Sequence, residues 1–273
     1  LDDRYMTVEK INGLKTTLYQ HQKTAVKAML DFEKVRNIKQ KIDKLFDVYD
    51  VSFNMGVLSE PVGSGKTIDI LSLILLSKIP RVLPDILEFN TSINNVVHGV
   101  IKCKYRKFFT ATLIFVGSSV IKQWENAIKT FTTLKFFSVN SVVELRLLFN
   151  MIEIKTVNDY DIILVKNGKI TVNIELPNGV KKEKKNKSPT PFIYNLIANL
   201  RQYCWARVVI DDFDTIKLPV NATIVNGLFT WYVSSTRKFY PGQTRRQDMC
   251  NASEWLTNYN YSCVQIMEND YLF

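Results

Sequence analysis

The chain has 273 residues, of which 46% are hydrophobic and 23% charged, and its formal net charge is +10. This composition excludes an intrinsically disordered chain, and the longest apolar run, at residues 68–76, is too short to span a bilayer. The pI near 9.3 favours a polyanionic partner, above all nucleic acid, with a basic solvated surface as the alternative.

The N-terminus and the cysteines indicate where in the cell the protein is located. The chain opens with polar residues rather than a signal peptide, and without Met, so we interpret it as a processed or excised piece of an intracellular protein. The four cysteines are scattered and form no C-x-x-C pair, which favours reduced thiols over a zinc site. They are Cys103, Cys204, Cys250 and Cys263.

The first predicted elements are a helix and a strand. Residues 14–32 predict a short lead-in and a helix, because side chains at i, i+3, i+4, i+7 and i+8 from Gln22 form one face. The charged residues 33–44 then predict either a continuation of that helix or a solvated connector. Residues 51–58 predict a strand that enters the next motif.

A glycine-rich turn follows this strand and precedes an apolar helix. Gly63 and Gly65, with Ser64 between them, let successive backbone N–H groups curl around a polyphosphate. The helix that starts near Lys66 adds its positive end. Lys66 is expected to reach the β- and γ-phosphates of ATP, and the Thr67 hydroxyl to ligate the Mg²⁺ of the nucleotide.

The match to the phosphate-loop pattern G-x-x-x-x-G-K-[ST] is incomplete, because Glu60 stands where the first Gly should be. The alternative is a chance Gly-Ser-Gly-Lys-Thr in a flexible linker. The apolar patterns on both sides of the turn disfavour that alternative.

Residues 81–110 have weak periodicity and predict an insertion. Within it, basic residues alternate with aromatic ones: Lys102, Lys104, Arg106 and Lys107 with Tyr105, Phe108 and Phe109. This interleaving suits nucleic acid, with cations on phosphates and rings on bases. A strand with one basic solvated face is an equally good interpretation.

Strands and helices then alternate with short connections. Apolar runs predict strands at 112–116, 134–139 and 161–165, and 3.6-residue periodicity predicts helices at 120–131 and 142–152. This alternation predicts an α/β fold with a mainly parallel sheet and helices on both faces.

A second insertion is predicted at residues 166–190. Its alternating apolar residues and Pro-Asn-Gly turn predict a protruding basic β-hairpin. Between residues 166 and 187 there are seven Lys and two Glu, which supply +5 of the net charge. Such a run is either a solvated loop or a contact to a nucleic acid backbone.

Three carboxylates follow the strand predicted at 206–210: Asp211, Asp212 and Asp214. In a parallel sheet, the carboxyl end of that strand faces the same crevice as the phosphate loop. Asp211 can hold Mg²⁺ through water, and Asp212 can orient the attacking water or accept its proton. Together with Lys66, these residues predict a nucleotide hydrolase.

These blocks occur in the order found in the first RecA-like lobe of superfamily 2 helicases. The chain most closely resembles the Swi/Snf-type DNA translocases, and among them those of large DNA viruses. Residues 18–26 resemble the block whose Gln, here Gln22, reads adenine, and Glu60 matches an acidic position of the family. Residues 113–124 resemble motif Ia, in which Ser118, Ser119 and Lys122 would lie along the nucleic acid backbone.

Two further blocks extend the resemblance. Residues 208–214 match motif II, and residues 233–236 are similar to motif III, in which Ser234, Ser235 and Thr236 would couple the nucleotide site to the DNA track. The resemblance implies a P-loop NTPase lobe at 1–240, with residues 241–273 unassigned. It also implies ATP and Mg²⁺ as ligands, double-stranded DNA rather than RNA as partner, and no membrane.

The resemblance further implies a second RecA-like lobe, in cis or in trans, and a nuclear location or, for a viral protein, a virus factory or virion. Departures from the family are Gly117 and Arg237, each in place of Pro, and Asp212 in place of Glu. Only 37 residues follow Thr236, so the arginine finger of a second lobe is not among them. We therefore expect this chain to bind nucleotide but to hydrolyse it poorly.

Two other functions are compatible with the sequence. The first is a non-catalytic module that binds nucleic acid or a partner and keeps a degenerate nucleotide pocket, which the Asp212 substitution favours. The second is an unrelated P-loop kinase or transporter ATPase, which Gln22 and the Gln123-Trp124 pair disfavour.

Overall fold

The computed structural model describes residues 6–35, 37–41, 48–52, 54–80, 107–168, 193–200, 202–219, 225–235 and 249–251. In this part of the chain the helices are α1 Gln20–Val35, α2 Lys66–Leu76, α3 Ile121–Phe131, α4 Val142–Glu153 and α5 Ile193–Ala198. The strands are β1 Asn37–Lys41, β2 Val48–Ser52, β3 Met55–Ser59, β4 Lys107–Val116, β5 Phe136–Val139, β6 Ile162–Lys166, β7 Tyr203–Ile210, β8 Lys217–Pro219, β9 Gly227–Ser234 and β10 Met249–Asn251.

Six of these strands form one sheet in the order β3-β9-β7-β4-β6-β5. Every neighbouring pair in it is parallel. Strand β7 lies near the middle and is buried at all eight positions, as expected for a parallel sheet that is covered on both faces. The predicted α/β fold with a mainly parallel sheet is confirmed.

Apolar side chains of the sheet point alternately to two separate cores. In β4, Leu113 and Phe115 pack into a core with α4 and α5, whereas Ile114 and Val116 pack into a core with α2 and α3. This alternation follows from the two-residue period of a strand. Helices therefore cover both faces, as predicted.

The carboxyl ends of the parallel strands lie at one edge of the sheet. Backbone hydrogen bonds join the segments that follow these strands to the ends of neighbouring strands. Glu60 N donates to Ser234 O at 3.2 Å, Asp211 N donates to Phe115 O at 2.9 Å, and Phe213 N donates to Val233 O at 3.1 Å. The segments after β3, β4, β7 and β9 are thus gathered at this edge.

The single strand predicted at residues 51–58 is wrong. Strand β2 ends at Ser52 and pairs antiparallel with β1 in a separate two-stranded sheet, whereas β3 begins at Met55 in the main sheet. Asn54 lies between them, and its carbonyl accepts a hydrogen bond from Thr230 N at 2.8 Å. Ser and Asn favour such changes of chain direction.

The residues after α1 also differ from the prediction. Helix α1 continues through residues 33–35, as one of the two predictions has it, but residues 37–41 form strand β1, which neither prediction includes. Residues 36 and 42–44 lie outside the described residues.

The predicted insertion at 81–110 ends earlier than expected, because β4 begins at Lys107. Phe109 is 2% exposed, and its ring stacks on Tyr203 at 4.9 Å between ring centres, so it packs in the core and is not available to a base. Residues 81–106, the predicted hairpin beyond residue 168 and Thr236 lie outside the described residues. In the tail, β10 is described and pairs antiparallel with β8.

Candidate nucleotide-binding site

The loop between β3 and α2, which the sequence predicts to bind phosphate, turns at two glycines. Gly63 and Gly65 have φ angles of 86° and 98°, in the left-handed region that favours glycine. A Cβ atom on Gly65 would lie 2.2 Å from Nε2 of Gln22, so a larger residue would displace the Gln22 amide in addition to straining the backbone. Ile68 N donates to Gly65 O at 2.7 Å and starts α2, so the positive end of this helix lies at the loop.

Polar groups on the loop are suited to hold a phosphate. The Lys66 ammonium donates to the carbonyl oxygens of Glu60 and Pro61, both at 2.9 Å. Oγ of Ser64 is buried and has no hydrogen-bond partner in the described part of the chain. Thr67, in the first turn of α2, is partly exposed. A cation, an unpaired hydroxyl and left-handed glycines on one turn match the chemistry of a polyphosphate.

Helix α1 places Gln22 against this loop. Gln22 is 4% exposed; its Nε2 donates to Ser64 O at 3.3 Å, and its Oε1 accepts from Tyr19 N at 3.0 Å. Nε2 of His21 lies 3.1 Å from the same Ser64 oxygen. The exposed ring of Tyr19 is parallel to that of His21, with 5.9 Å between the ring centres.

Asp211 follows β7 and is 8% exposed. The indole Nε1 of Trp124 donates to its Oδ2 at 2.6 Å. Burial raises the pKa of Asp211 to about 6. The Trp124 hydrogen bond opposes this shift, and the negative charge of Asp212 adds to it. The positive charge of Lys66 also opposes the shift.

Asp212 occupies a turn. Its φ of 49° is in the left-handed region, which Asp tolerates better than most residues. Its carbonyl accepts from Thr215 N and Ile216 N, both at 2.8 Å. Burial and the charge of Asp214 raise the pKa of Asp212, and the charge of Lys66 lowers it. The ammonium of Lys66 therefore acts on both predicted motif II carboxylates.

The residues predicted to contact nucleic acid, and two of those predicted to couple the nucleotide site to it, lie at the same sheet edge. Ser118 and Ser119 are exposed in the turn between β4 and α3, and Lys122 is exposed in the first turn of α3. Ser234 is fully buried at the end of β9, where its carbonyl accepts from Glu60 N, and Ser235 is partly exposed.

Asp69, in the first turn of α2, is a further carboxylate beside this loop that the sequence motifs do not indicate. Asp69 lies on α2 and is fully buried, and neither of its carboxyl oxygens has a hydrogen-bond partner among the described residues. Burial raises its pKa to about 8, the negative charge of Glu60 adds to the shift, and Lys66 opposes it. The sequence feature that could have indicated a buried carboxylate is an acidic residue within the longest apolar run of the chain.

We expect Asp69→Asn to stabilise the chain at alkaline pH. The pKa of Asp69 is about 8 in the folded chain against 3.8 for the free side chain, so the folded state binds more protons between these values. Stability therefore falls as pH rises through this window, and the cost of the buried charge is fully present above about pH 8. Asn does not titrate, so the variant avoids this loss.

The measurement is urea unfolding at about pH 5 and about pH 9. The free energy of unfolding of the variant relative to the unaltered chain should rise between these pH values by at least about 1 kcal/mol, since one pKa unit corresponds to about 1.4 kcal/mol. The same difference at both pH values would show that Asp69 does not titrate in this window.

One family model matches most of the chain. The family model described as the SNF2-related domain matches residues 21–226. An uncharacterized ATP-dependent helicase of Saccharomyces cerevisiae, IRC20, is 28% identical over 196 residues, which are 66% of this chain and 11% of that protein.

Two solved structures are similar to this chain. The SWI2/SNF2 ATPase core of Sulfolobus solfataricus in complex with double-stranded DNA is similar with a TM-score of 0.46 and 15% identity, over 85% of this chain and 34% of that one. The Type ISP restriction-modification enzyme LlaGI, as a nuclease-deletion mutant with a DNA substrate mimic, is similar with a TM-score of 0.42 and 14% identity, over 82% of this chain and 18% of that one.

The chain thus spans only a small part of the proteins that it matches. The family model nevertheless covers about three quarters of the chain, from the helix that carries Gln22 to the residue before β9. It includes the phosphate loop, the motif Ia segment and the motif II carboxylates. The chain belongs to the SNF2-related domain family.

Proposed function

We propose that this chain is the nucleotide-binding motor lobe of a DNA-dependent ATPase, in which ATP hydrolysis is coupled to movement on nucleic acid. The observation that carries the proposal is the meeting of the Lys66 loop and the Asp211 carboxylate at one edge of the parallel sheet. Burial raises the pKa of Asp211 and the positive charge of Lys66 opposes this shift, so the two groups are within electrostatic reach. Membership of the SNF2-related domain family supports the same function.

In this proposal the loop binds the phosphates of ATP. Backbone N–H groups around Gly63 and Gly65, with the unpaired Ser64 hydroxyl, would hold phosphate oxygens. Lys66 would leave the carbonyls of Glu60 and Pro61 for the β- and γ-phosphates, where its charge has stronger partners.

The carboxylates after β7 would bind the metal ion and the attacking water. Thr67 and Asp211 would hold Mg²⁺, which when bound neutralises charge on the phosphate oxygens. Asp212 would orient the attacking water and accept its proton. Its raised pKa makes it a better proton acceptor than an ordinary Asp carboxylate.

The base of the nucleotide would lie beside α1. Two of the hydrogen-bonding positions of the Gln22 amide are used by Tyr19 and Ser64, and the remaining ones would read the edge of adenine. The exposed ring of Tyr19 offers a surface on which the base can stack.

Nucleic acid would contact Ser118, Ser119 and Lys122, which are exposed at this sheet edge, and the net charge of +10 supports a polyanionic partner. The coupling role of Ser234, Ser235 and Thr236, the preference for double-stranded DNA over RNA and an origin in a large DNA virus are proposed from the sequence resemblance alone. Binding of nucleic acid would place the protein in the nucleus, a virus factory or a virion.

We expect the chain to bind ATP with Mg²⁺ but to turn it over much more slowly than about one per second, with or without double-stranded DNA. The reason is that an arginine from a second lobe contributes about 10³–10⁵ in rate in related NTPases. Binding is measured with a fluorescent ATP analogue, and turnover by phosphate release.

The two measurements separate the competing functions. DNA-stimulated turnover at about one per second or faster would remove the need for a second lobe. If the chain shows no Mg²⁺-dependent nucleotide binding, the motor-lobe proposal is wrong and a non-catalytic module is favoured.

A further inference from the structure

A hydrogen bond links α3 to the carboxylate after β7. The indole Nε1 of Trp124 donates to Asp211 Oδ2 at 2.6 Å, although 87 residues separate the two in the chain. Trp124 is 2% exposed and Asp211 is 8% exposed, so the bond joins two buried side chains. An N–H bond to an ionised group is stronger than one between neutral groups.

Both ends of this hydrogen bond are fixed by the fold. Trp124 packs in the apolar core that α3 shares with β4 and β6. The backbone N of Asp211 donates to Phe115 O at 2.9 Å, which fixes the position of its Cα atom beside the end of β4. The indole therefore restricts the rotation of the Asp211 side chain, which the backbone hydrogen bond leaves free.

Rotation of this carboxylate matters for a metal. Mg²⁺ requires nearly ideal octahedral geometry, so a carboxylate that is free to rotate is a poorer ligand than a fixed one. Groups that hydrogen-bond to ligating carboxylates orient them, and the loss of such a group typically lowers metal affinity by 10–100-fold.

We propose that Trp124 is a positioning residue that holds the Asp211 carboxylate in the orientation needed to bind Mg²⁺ with the nucleotide. This inference rests on the proposed function and adds to it, since it names a residue that touches neither nucleotide nor metal. The packing of Trp124 is separable from its N–H group, and this makes the inference testable.

The test compares Trp124→Phe with Trp205→Phe. The first variant keeps an aromatic ring in the core and removes the N–H group. Trp205 is 1% exposed on β7, and the structure gives no hydrogen bond from its Nε1 to a carboxylate among the described residues, so the second variant matches the loss of ring volume. A fluorescent ATP analogue is titrated first in EDTA and then at increasing Mg²⁺ concentration.

In EDTA, we expect the unaltered chain and both variants to bind the analogue equally, because the Lys66 loop is intact in all three. The Mg²⁺ concentration that produces half of the metal-dependent gain in binding should rise by about 10–100-fold in Trp124→Phe and stay unchanged in Trp205→Phe. Equal midpoints in the two variants would overturn the role of Trp124.

The outcomes distinguish this inference from the proposed function. If the unaltered chain shows no Mg²⁺-dependent binding, both are wrong. If it does and Trp124→Phe behaves like Trp205→Phe, only the positioning role is wrong.

A second measurement applies if Trp124→Phe does not fold. In the unaltered chain labelled with ¹⁵N at its four tryptophans, the indole N–H signal of Trp124 is assigned by elimination from Trp→Phe variants at the other positions. We expect this signal to shift when Mg²⁺ is added with ATP and not when ATP is added alone. A signal that is insensitive to Mg²⁺ would overturn the inference.

Discussion

Replacing Glu33 by Ala will destabilise the folded chain by about 3–5 kcal/mol, because it leaves a buried guanidinium without its counter-charge. Arg207 and Glu33 are 0% and 1% exposed, and Nε and Nη2 of Arg207 each lie 2.6 Å from a Glu33 carboxyl oxygen. Trp231 Nε1 donates to the same carboxylate at 2.8 Å. One substitution on α1 therefore removes three hydrogen bonds to the sheet.

The matched control is Asp31→Ala on the same helix. Asp31 pairs with Lys27 one turn away, where both side chains are partly exposed. Such i,i+4 pairs contribute only about 0.3–0.5 kcal/mol. Urea unfolding followed by circular dichroism gives the free energy of unfolding of each variant, and an unchanged m-value indicates that the comparison is valid.

A double variant tests the physical reason. Because the cost comes from the unpaired charge, Glu33→Met combined with Arg207→Met should recover most of the stability lost by Glu33→Ala. A loss below about 1 kcal/mol for Glu33→Ala, close to that of an exposed pair, would contradict the assignment of a buried ion pair.

This ion pair also explains how α1 keeps Gln22 at the phosphate loop. Glu33 lies near the end of the helix and is fixed to the sheet by Arg207, while Gln22, near its start, contacts Ser64. The sequence predicts the helix from the spacing of its apolar residues but places Glu33 in a charged stretch. A charged stretch alone does not reveal that one of its carboxylates is buried.

The sheet and most of the candidate site could be predicted, because their signals are local. Apolar runs such as residues 112–116 form buried strands, and the glycines on both sides of Ser64 indicate a left-handed turn. Asp211 and Lys66 come together at one sheet edge because both follow parallel strands, and a parallel sheet brings its carboxyl ends to the same side.

The features that the sequence does not predict depend on contacts between residues that are distant in the sequence, or on a local break in a strand. Trp124 is recognisable as a family residue, but its bond to Asp211 depends on how α3 packs on the sheet. The break at Asn54 divides an apparently continuous strand between two sheets, since β2 pairs with β1 and β3 with β9. Periodicity indicates which residues are buried, but not their partners.

Lys66→Met will weaken binding of ATP by about 10–100-fold and leave binding of AMP unchanged, because AMP lacks the β- and γ-phosphates that Lys66 is proposed to contact. The magnitude follows from about 1.5–3 kcal/mol for a hydrogen bond to a charged group and about 1.4 kcal/mol for each tenfold in affinity. In an assembly that includes a second lobe, Lys66→Met should also lower the rate of ATP hydrolysis by about 10²–10³-fold. A loss of this size is expected when a hydrogen-bond donor to the charge that develops in the transition state is removed.

The comparison of two nucleotides separates two roles of Lys66. Its ammonium donates to the carbonyls of Glu60 and Pro61, so the variant could alter the loop rather than a phosphate contact. A deformed loop would weaken binding of AMP and ATP alike, whereas a lost phosphate contact weakens only ATP. Lys78→Met is the control, because it removes an equal charge whose partner is Asp161 at 2.9 Å, and both affinities should stay unchanged. Equal losses for AMP and ATP in Lys66→Met would assign Lys66 to the shape of the loop and leave the γ-phosphate without its proposed cation.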